Sequence, residues 1–158
     1  MALAPYAVHR AEAPAHWSLG ELLTVLVPAE RTGGAFSLVE ELLPRGAEAP
    51  PHVHRREHEL LVVLEGELTA RIGDETHAAR AGSVLFFPRD VPHQVTVDSD
   101  VVRLLTLMAP GGLEQLLVDL GEPARDRALP PPGVAVPPPE RIGRLAGEHG
   151  VRVLGDSP

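Results

Sequence analysis

A chain of 158 residues with 44% hydrophobic content is long enough to bury a core in one domain and too apolar to be intrinsically disordered. The net charge is −8 and all 14 basic residues are arginines, scattered apart from Arg55-Arg56, so no basic stripe is available to nucleic acid. The absence of cysteine and lysine excludes disulfides, thiolate ligands, thiol catalysis and a Schiff-base lysine, and no apolar run approaches the roughly 20 residues of a membrane span.

Read from the N-terminus, Met1 to Arg10 lacks a sustained apolar signal segment, which sets a cytoplasmic expectation. Glu21 to Val27 has strand composition and is stopped by Pro28. After the turn Thr32-Gly33-Gly34, a second strand is expected over Phe36 to Leu43, bounded by Pro44 and Gly46. Leu60 to Leu64 is apolar on both faces: one face lines a core, and the other meets a second sheet or a partner subunit. That pattern is the basis for expecting a homodimer. Leu68 to Ile72 and Glu75 to Ala79 flank Gly73-Asp74 and read as a hairpin. Val84 to Phe87 runs into Pro88. Beyond Pro92, His93, Val95 and Val97 share one strand face, and Val101 to Met108 supplies a further strand. Regularly spaced strands of this kind fit a small all-β barrel or two-sheet sandwich.

The remainder changes character. Leu113 to Leu120 has helical spacing and is ended by Gly121. A proline-rich connector follows over 125–140, and a second short helix is expected from Glu140 to His149, ended by Gly150. Ser18, Ser37, Ser83, Ser99 and Ser157 lack a nucleophile-elbow context, and Gly33-Gly34 and Gly111-Gly112 lack the pattern of a phosphate loop.

Chemistry concentrates between Gly46 and Gly66. His52 and His54, separated by Val53, project from the same face of an extended strand and can place two ring nitrogens on one ion. Glu59 has the wrong parity for that strand, but the polar run Arg55-Arg56-Glu57 reads as a bend that turns Glu59 back toward it. His93 brings a third imidazole from a separate strand. Three imidazoles and a carboxylate suit one divalent ion of Fe, Mn, Co, Ni, Cu or Zn. His9, His16, His77 and His149 read as surface or hydrogen-bonded residues. His58, facing away from Glu59 in an extended chain, reads as a supporting or interface residue, with competition for the ion as the alternative. Trp17 reads as a packing residue near the barrel mouth.

Gly46, His52, His54, Glu59 and Gly66 stand in the register G-x5-H-x-H-x4-E-x6-G, and Gly82, Pro88 and His93 match G-x5-P-x-G-x2-H-x3-N except that Asp90 replaces glycine and Val97 replaces asparagine. The pair resembles the two cupin motifs. Trp17 to Gly20, Thr32 to Phe36, Leu64 to Thr69, Ala109 to Leu113 and Gly150 to Gly155 are similar to the small quercetin dioxygenase-like cupins. The resemblance implies a single cupin domain over 1–158, a double-stranded β-helix (jelly-roll) barrel over about 17–110, and a C-terminal helix with the proline-rich extension over 111–158.

It further implies His52, His54, Glu59 and His93 as metal ligands around a centre with open positions, and Glu59 as the base that takes a proton from a small hydrophobic, enolic or phenolic substrate reacting with O2. Two other chemistries stay open in this fold: O2-independent isomerisation, cyclisation or decarboxylation at the metal, and small-molecule binding without conversion.

Overall fold

The computed structural model describes residues 3–155. The strands are β1 (Ala15–Ser18), β2 (Glu21–Val27), β3 (Ser37–Pro44), β4 (His52–His54), β5 (His58–Glu65), β6 (Glu67–Ile72), β7 (Glu75–Arg80), β8 (Val84–Phe87), β9 (His93–Val97), β10 (Val101–Ala109), β11 (Gly121–Pro123) and β12 (Val151–Val153). They form a larger antiparallel sheet in the order β11-β1-β2-β3-β10-β5-β8 and a smaller one in the order β12-β4-β9-β6-β7. From β3 to β6, and again from β8 to β10, the chain changes sheet at each connection, which is the winding of a jelly roll.

The fold is all-β, as the sequence suggests. Helix α1 (Glu114–Asp119) and helix α2 (Pro139–Glu148) agree with the two expected helical stretches, and Gly73-Asp74 closes the β6–β7 hairpin with Ile72 opposite Glu75. Three short strands have no counterpart among the expected elements. β1 and β11 pair with each other, and β12 pairs with β4. β1 also pairs with the adjacent β2, whereas β11 and β12 depend on partners remote in sequence and are only three residues long, so neither carries a visible alternation of its own. Among the described residues, no helix is long and apolar enough to cross a membrane.

Two clusters fill the interior. The first joins the sheets face to face: Leu61, Val63, Leu85, Phe87, Val102 and Leu104 meet Leu68, Ala70, Ala79 and Val97. The second lies under the helices, where Leu23, Val25, Val39 and Met108 pack against Leu113, Leu116, Leu120 and Ala146. β10 shows the alternation that divides core from exterior, with Val102, Leu104, Thr106 and Met108 buried and their neighbours half-buried. In β5 the same division buries Leu61 and Val63 and leaves Leu60, Val62 and Leu64 half-buried on the outer face. Trp17 is buried, and its Nε1–H donates to Ala128 O (2.9 Å), anchoring the proline-rich connector to β1.

Gly66 marks the crossing from β5 to β6. Its φ is +83°, and a Cβ there would lie 2.5 Å from Val101 O and 2.7 Å from Ser99 Oγ. Backbone strain and a backbone clash therefore coincide. Gly66→Ala is expected to lower stability by roughly 2–4 kcal/mol in urea unfolding. Wild-type stability in that variant would mean that the crossing can relax and does not fix the approach of the two sheets.

Candidate metal centre

Strand pairing assembles the histidines. β4 lies beside β9 in the smaller sheet with His52 directly opposite His93, and His54 follows two residues along the same face. The ring centroids are 4.4 Å apart for His52–His93 and 4.9 Å apart for both His52–His54 and His54–His93. One nitrogen from each ring can be chosen so that all three lie within 4.8 Å of one another. His54 and His93 are buried and His52 is half-buried, so His52 is the ring nearest the surface. The loop before β4 is held by Glu48, whose Oε2 accepts from Gly46 N–H (2.7 Å) and whose Oε1 accepts from Val97 N–H (2.8 Å). This clamp ties the approach to His52 to the strand that carries His93.

The bend read from Arg55-Arg56-Glu57 is present: β4 ends at His54 and β5 begins at His58 in the other sheet. Glu59 sits opposite Met108 on one side and Phe87 on the other. Its Oε2 reaches across the interior to 3.4 Å from His54 Nδ1 and 3.8 Å from His93 Nε2. The cluster therefore spans both sheets, with three imidazoles from the smaller and the carboxylate from the larger. His58 points away. Its Nδ1 accepts from Arg89 N–H (2.9 Å) and its ring tilts against Phe86 on the outer surface.

The backbone sets the ring orientations of two histidines. His52 Nδ1 is 2.8 Å from Pro50 O and His93 Nδ1 is 3.0 Å from Val91 O, each carbonyl two residues upstream in the preceding loop. With Nδ1–H donating, the lone pair of each ring is at Nε2. His54 has no such partner. Its Nδ1, His93 Nε2 and Glu57 Oε1 are all buried without a hydrogen bond.

Burial also sets the charge states. It lowers His54 to about 3, assisted by His52 and His93, and His93 to about 4, assisted by His52 and opposed by the Val91 carbonyl. His52 is lowered as well, with Pro50 O opposing. Glu59 is pushed up to about 8 by burial and by the neighbouring Glu41 and Glu57, and burial pushes Glu57 up to about 7. Near neutral pH the imidazoles are thus neutral and Glu59 holds its proton.

Sequence reading missed four acidic or polar residues of this interior. Glu57 lies in the polar bend that the sequence indicates, and it is buried there. Glu41 lies opposite Leu104 and accepts a hydrogen bond from Thr106 Oγ1, and Glu21 is buried and raised by burial and by Glu41. Alternation along Ser37, Val39, Glu41 and Leu43 is the signal that could have placed Glu41 inside. Two surface concavities, about 440 and about 370 Å³, are lined by other residues: Arg55 with Gly143 to Val153, and Leu3 to Tyr6 with Val27 to Phe36.

Neutral imidazoles, the orphaned Nε2 of His93 and a carboxylate oxygen 3.8 Å from it fit a divalent transition metal. Residues 38–109 match the family model described as "Cupin domain". Among curated proteins, the quercetin 2,3-dioxygenase of Bacillus subtilis (strain 168) is 28% identical over 128 residues, covering 81% of this chain and 38% of that protein. The quercetin 2,3-dioxygenase of Aspergillus japonicus is 28% identical over 135 residues, covering 80% and 39% respectively. The chain spans about two-fifths of the length of these relatives.

Among solved structures, an RmlC-like cupin from Shewanella frigidimarina NCIMB 400 superposes with a TM-score of 0.61 at 19% identity, over 73% of this chain and 99% of that one. A predicted oxalate decarboxylase from Thermotoga maritima superposes with a TM-score of 0.60 at 18% identity, over 66% and 99%. At these identities the superpositions establish the fold. The matched segment holds β4, β5 and β9, the strands of all three histidines and Glu59, and the chain has the cupin fold.

Proposed function

We propose that this cupin-fold protein is a metal-dependent oxygenase of a small enolic or phenolic substrate, with one divalent transition metal ion held by His52, His54, His93 and Glu59. The observation that carries the reading is the convergence of three imidazoles from one sheet with a carboxylate from the other, 3.4 and 3.8 Å from two of them. The two quercetin 2,3-dioxygenases at 28% identity support a flavonol-like or polyketide-like substrate. When bound, the ion would supply Lewis acidity toward an enol or phenol oxygen and redox chemistry with O2.

The protein's own part is orientation, exclusion of water and handling of one proton. Pro50 O and Val91 O hold the His52 and His93 rings with Nε2 available. Phe87 and Met108, both buried, flank Glu59 and help to exclude water from it, which strengthens every electrostatic interaction there. Glu59 Oε2 is the atom that takes the substrate proton, and burial lets a carboxyl at this position retain it near neutral pH.

The reading includes a cytoplasmic setting and a homodimer. The dimer is supported by the outer face of the larger sheet, where half-buried Leu60 and Val62 stand opposite exposed Phe86 and Val84. Light scattering is expected to give the dimer mass for the wild type and a monomer for Phe86→Glu. A wild-type monomer at micromolar concentration removes the dimer from the reading.

Elemental mass spectrometry of untagged protein is the first test of the centre. Near-stoichiometric Fe, Mn, Co, Ni, Cu or Zn is expected, and the His52→Ala/His54→Ala variant should lose it. Glu59→Gln should keep appreciable metal yet lose most O2 uptake with flavonols and other enols, whereas normal turnover would remove Glu59 as the base. Turnover that survives strict removal of O2 points instead to Lewis-acid isomerisation, cyclisation or decarboxylation. Absence of metal after anaerobic reconstitution would falsify the oxygenase reading and favour a binding module.

The charge states predict how binding depends on pH. The proton that competes with the ion belongs to Glu59, because His54 and His93 are already neutral well above pH 4. A carboxyl raised to about 8 must lose its proton to ligate. Metal affinity should therefore rise up to about tenfold per pH unit below that value and flatten above it. Calorimetric titration in buffers of different ionisation enthalpy should find about one proton released per ion at pH 7. Uptake without proton release would show that Glu59 is ionised beforehand or is not a ligand.

A further inference from the structure

The bend between β4 and β5 places a second carboxyl beside the histidines. Glu57 and His54 are each only 4% exposed. Glu57 Oε1 lies 3.7 Å from His54 Nδ1, and both atoms are fully buried without a hydrogen-bond partner among the described residues. A buried carboxyl oxygen and a buried ring nitrogen, each unsatisfied and facing the other, form an arrangement that a native interior rarely leaves open.

A neutral imidazole has one N–H and one lone pair, so a ligating histidine needs an acceptor for the nitrogen it does not use. His52 and His93 obtain theirs from the carbonyls of Pro50 and Val91. His54 cannot copy this device, because the residue two positions upstream is His52, which lies inside β4 between β9 and β12 rather than in a loop. The acceptor has to be a side chain, and two carboxylates face Nδ1. Glu59 Oε2 is nearer at 3.4 Å but also lies 3.8 Å from His93 Nε2, a position shared between two rings and suited to an ion. Glu57 approaches only His54 among the three histidines.

We propose that Glu57 is the positioning residue of the centre: its carboxylate accepts from His54 Nδ1–H and holds His54 in the tautomer whose Nε2 faces the ion. The inference rests on the metal-centre reading above. The present 3.7 Å separation is longer than a hydrogen bond, and a small rotation of the Glu57 side chain closes it. Binding sites often tighten in this way when the group they serve arrives. Three rings are then keyed by three acceptors, two from the backbone and one from the bend that also brings Glu59 into place.

The test uses Zn2+ as the probe with the wild-type chain, Glu57→Gln and Glu57→Leu. Gln keeps an acceptor oxygen at the same reach, whereas Leu fills the space without one. Chelator competition is expected to give near-wild-type Zn2+ affinity for Glu57→Gln and a loss of about 10- to 100-fold for Glu57→Leu. In long-range proton–nitrogen NMR spectra of 15N-histidine protein, His54 should bind Zn2+ through Nε2 with Nδ1 protonated, in the wild type and in Glu57→Gln.

Three results overturn the proposal: ligation of His54 through Nδ1, undiminished affinity in Glu57→Leu, or a loss in Glu57→Gln as large as in Glu57→Leu. Circular dichroism melts of the metal-free variants show whether Leu is tolerated. If it is not, the NMR assignment in the wild type and Glu57→Gln decides alone. A wild-type chain that binds no Zn2+ overturns the metal-centre reading together with this one, whereas tight wild-type binding with undiminished Glu57→Leu overturns this one only.

Discussion

The register of β4 against β9 is the constraint on which the rest of the site depends. His52 opposite His93 is the single residue pair of that ladder, and on it hang the facing of two imidazoles and, through the two-residue period, that of His54. A slip of one residue in β4 would turn His52 and His54 outward and bring Val53 in. A three-residue strand is too short to resist such a slip alone. It is held from both sides, because β12 pairs along its whole length with Val151 opposite His54 and Val153 opposite His52. Glu48 adds a third restraint by joining the loop before β4 to the amide of Val97 in β9.

Given that register, the interior sorts into layers. Along β10, Val102 and Leu104 belong to the core between the sheets, Met108 belongs to the core beneath the helices, and Thr106 lies between them. β3 repeats the order with Leu43, Glu41 and Val39. On β5 and β9 the polar residues Glu59 and His93 follow Val63 and Leu61, and Val97 and Val95, at the same boundary. The polar residues thus form a belt between two apolar clusters. Burying carboxyls and imidazoles here costs stability that Leu or Val at these positions would not. A belt so placed, with His93 Nε2 unsatisfied in it and His54 Nδ1 and Glu57 Oε1 unsatisfied beside it, is a local conflict of the kind that marks functional sites in otherwise consistent folds.

The legible part of this design is the part with short-range periodicity. His-x-His parity, the Gly73-Asp74 turn, the strands from Glu21 to Met108 and the two helices all follow from alternation or from turn residues. The bend that brings Glu59 to the histidines is visible as a polar interruption between two strand patterns. What it conceals is Glu57, because a polar residue in a polar bend reads as solvated, and only the closure of the two sheets over it shows otherwise. β11 and β12 are illegible for a related reason. They are edge strands whose existence is decided by an open neighbour, β1 or β4, more than a hundred or nearly a hundred positions away.

The two departures from the family pattern show how a motif position can change without moving the site. Asp90, in the place of glycine, has φ +67°, the left-handed conformation a glycine would supply and one that Asp tolerates better than most residues. Its amide donates to His54 O (2.8 Å) and its carboxylate accepts from Arg55 (2.9 Å), so the substitution adds an anchor between the loop before His93 and the strand of His54. Val97, in the place of asparagine, is buried in the core between the sheets, on the face it shares with His93. A polar side chain there would need a partner, and valine needs none. Both positions act on how the histidine-bearing segments are held together, and neither supplies an atom to the cluster. The identities of the facing groups can therefore persist while the scaffold around them is rebuilt, provided the His52–His93 register survives.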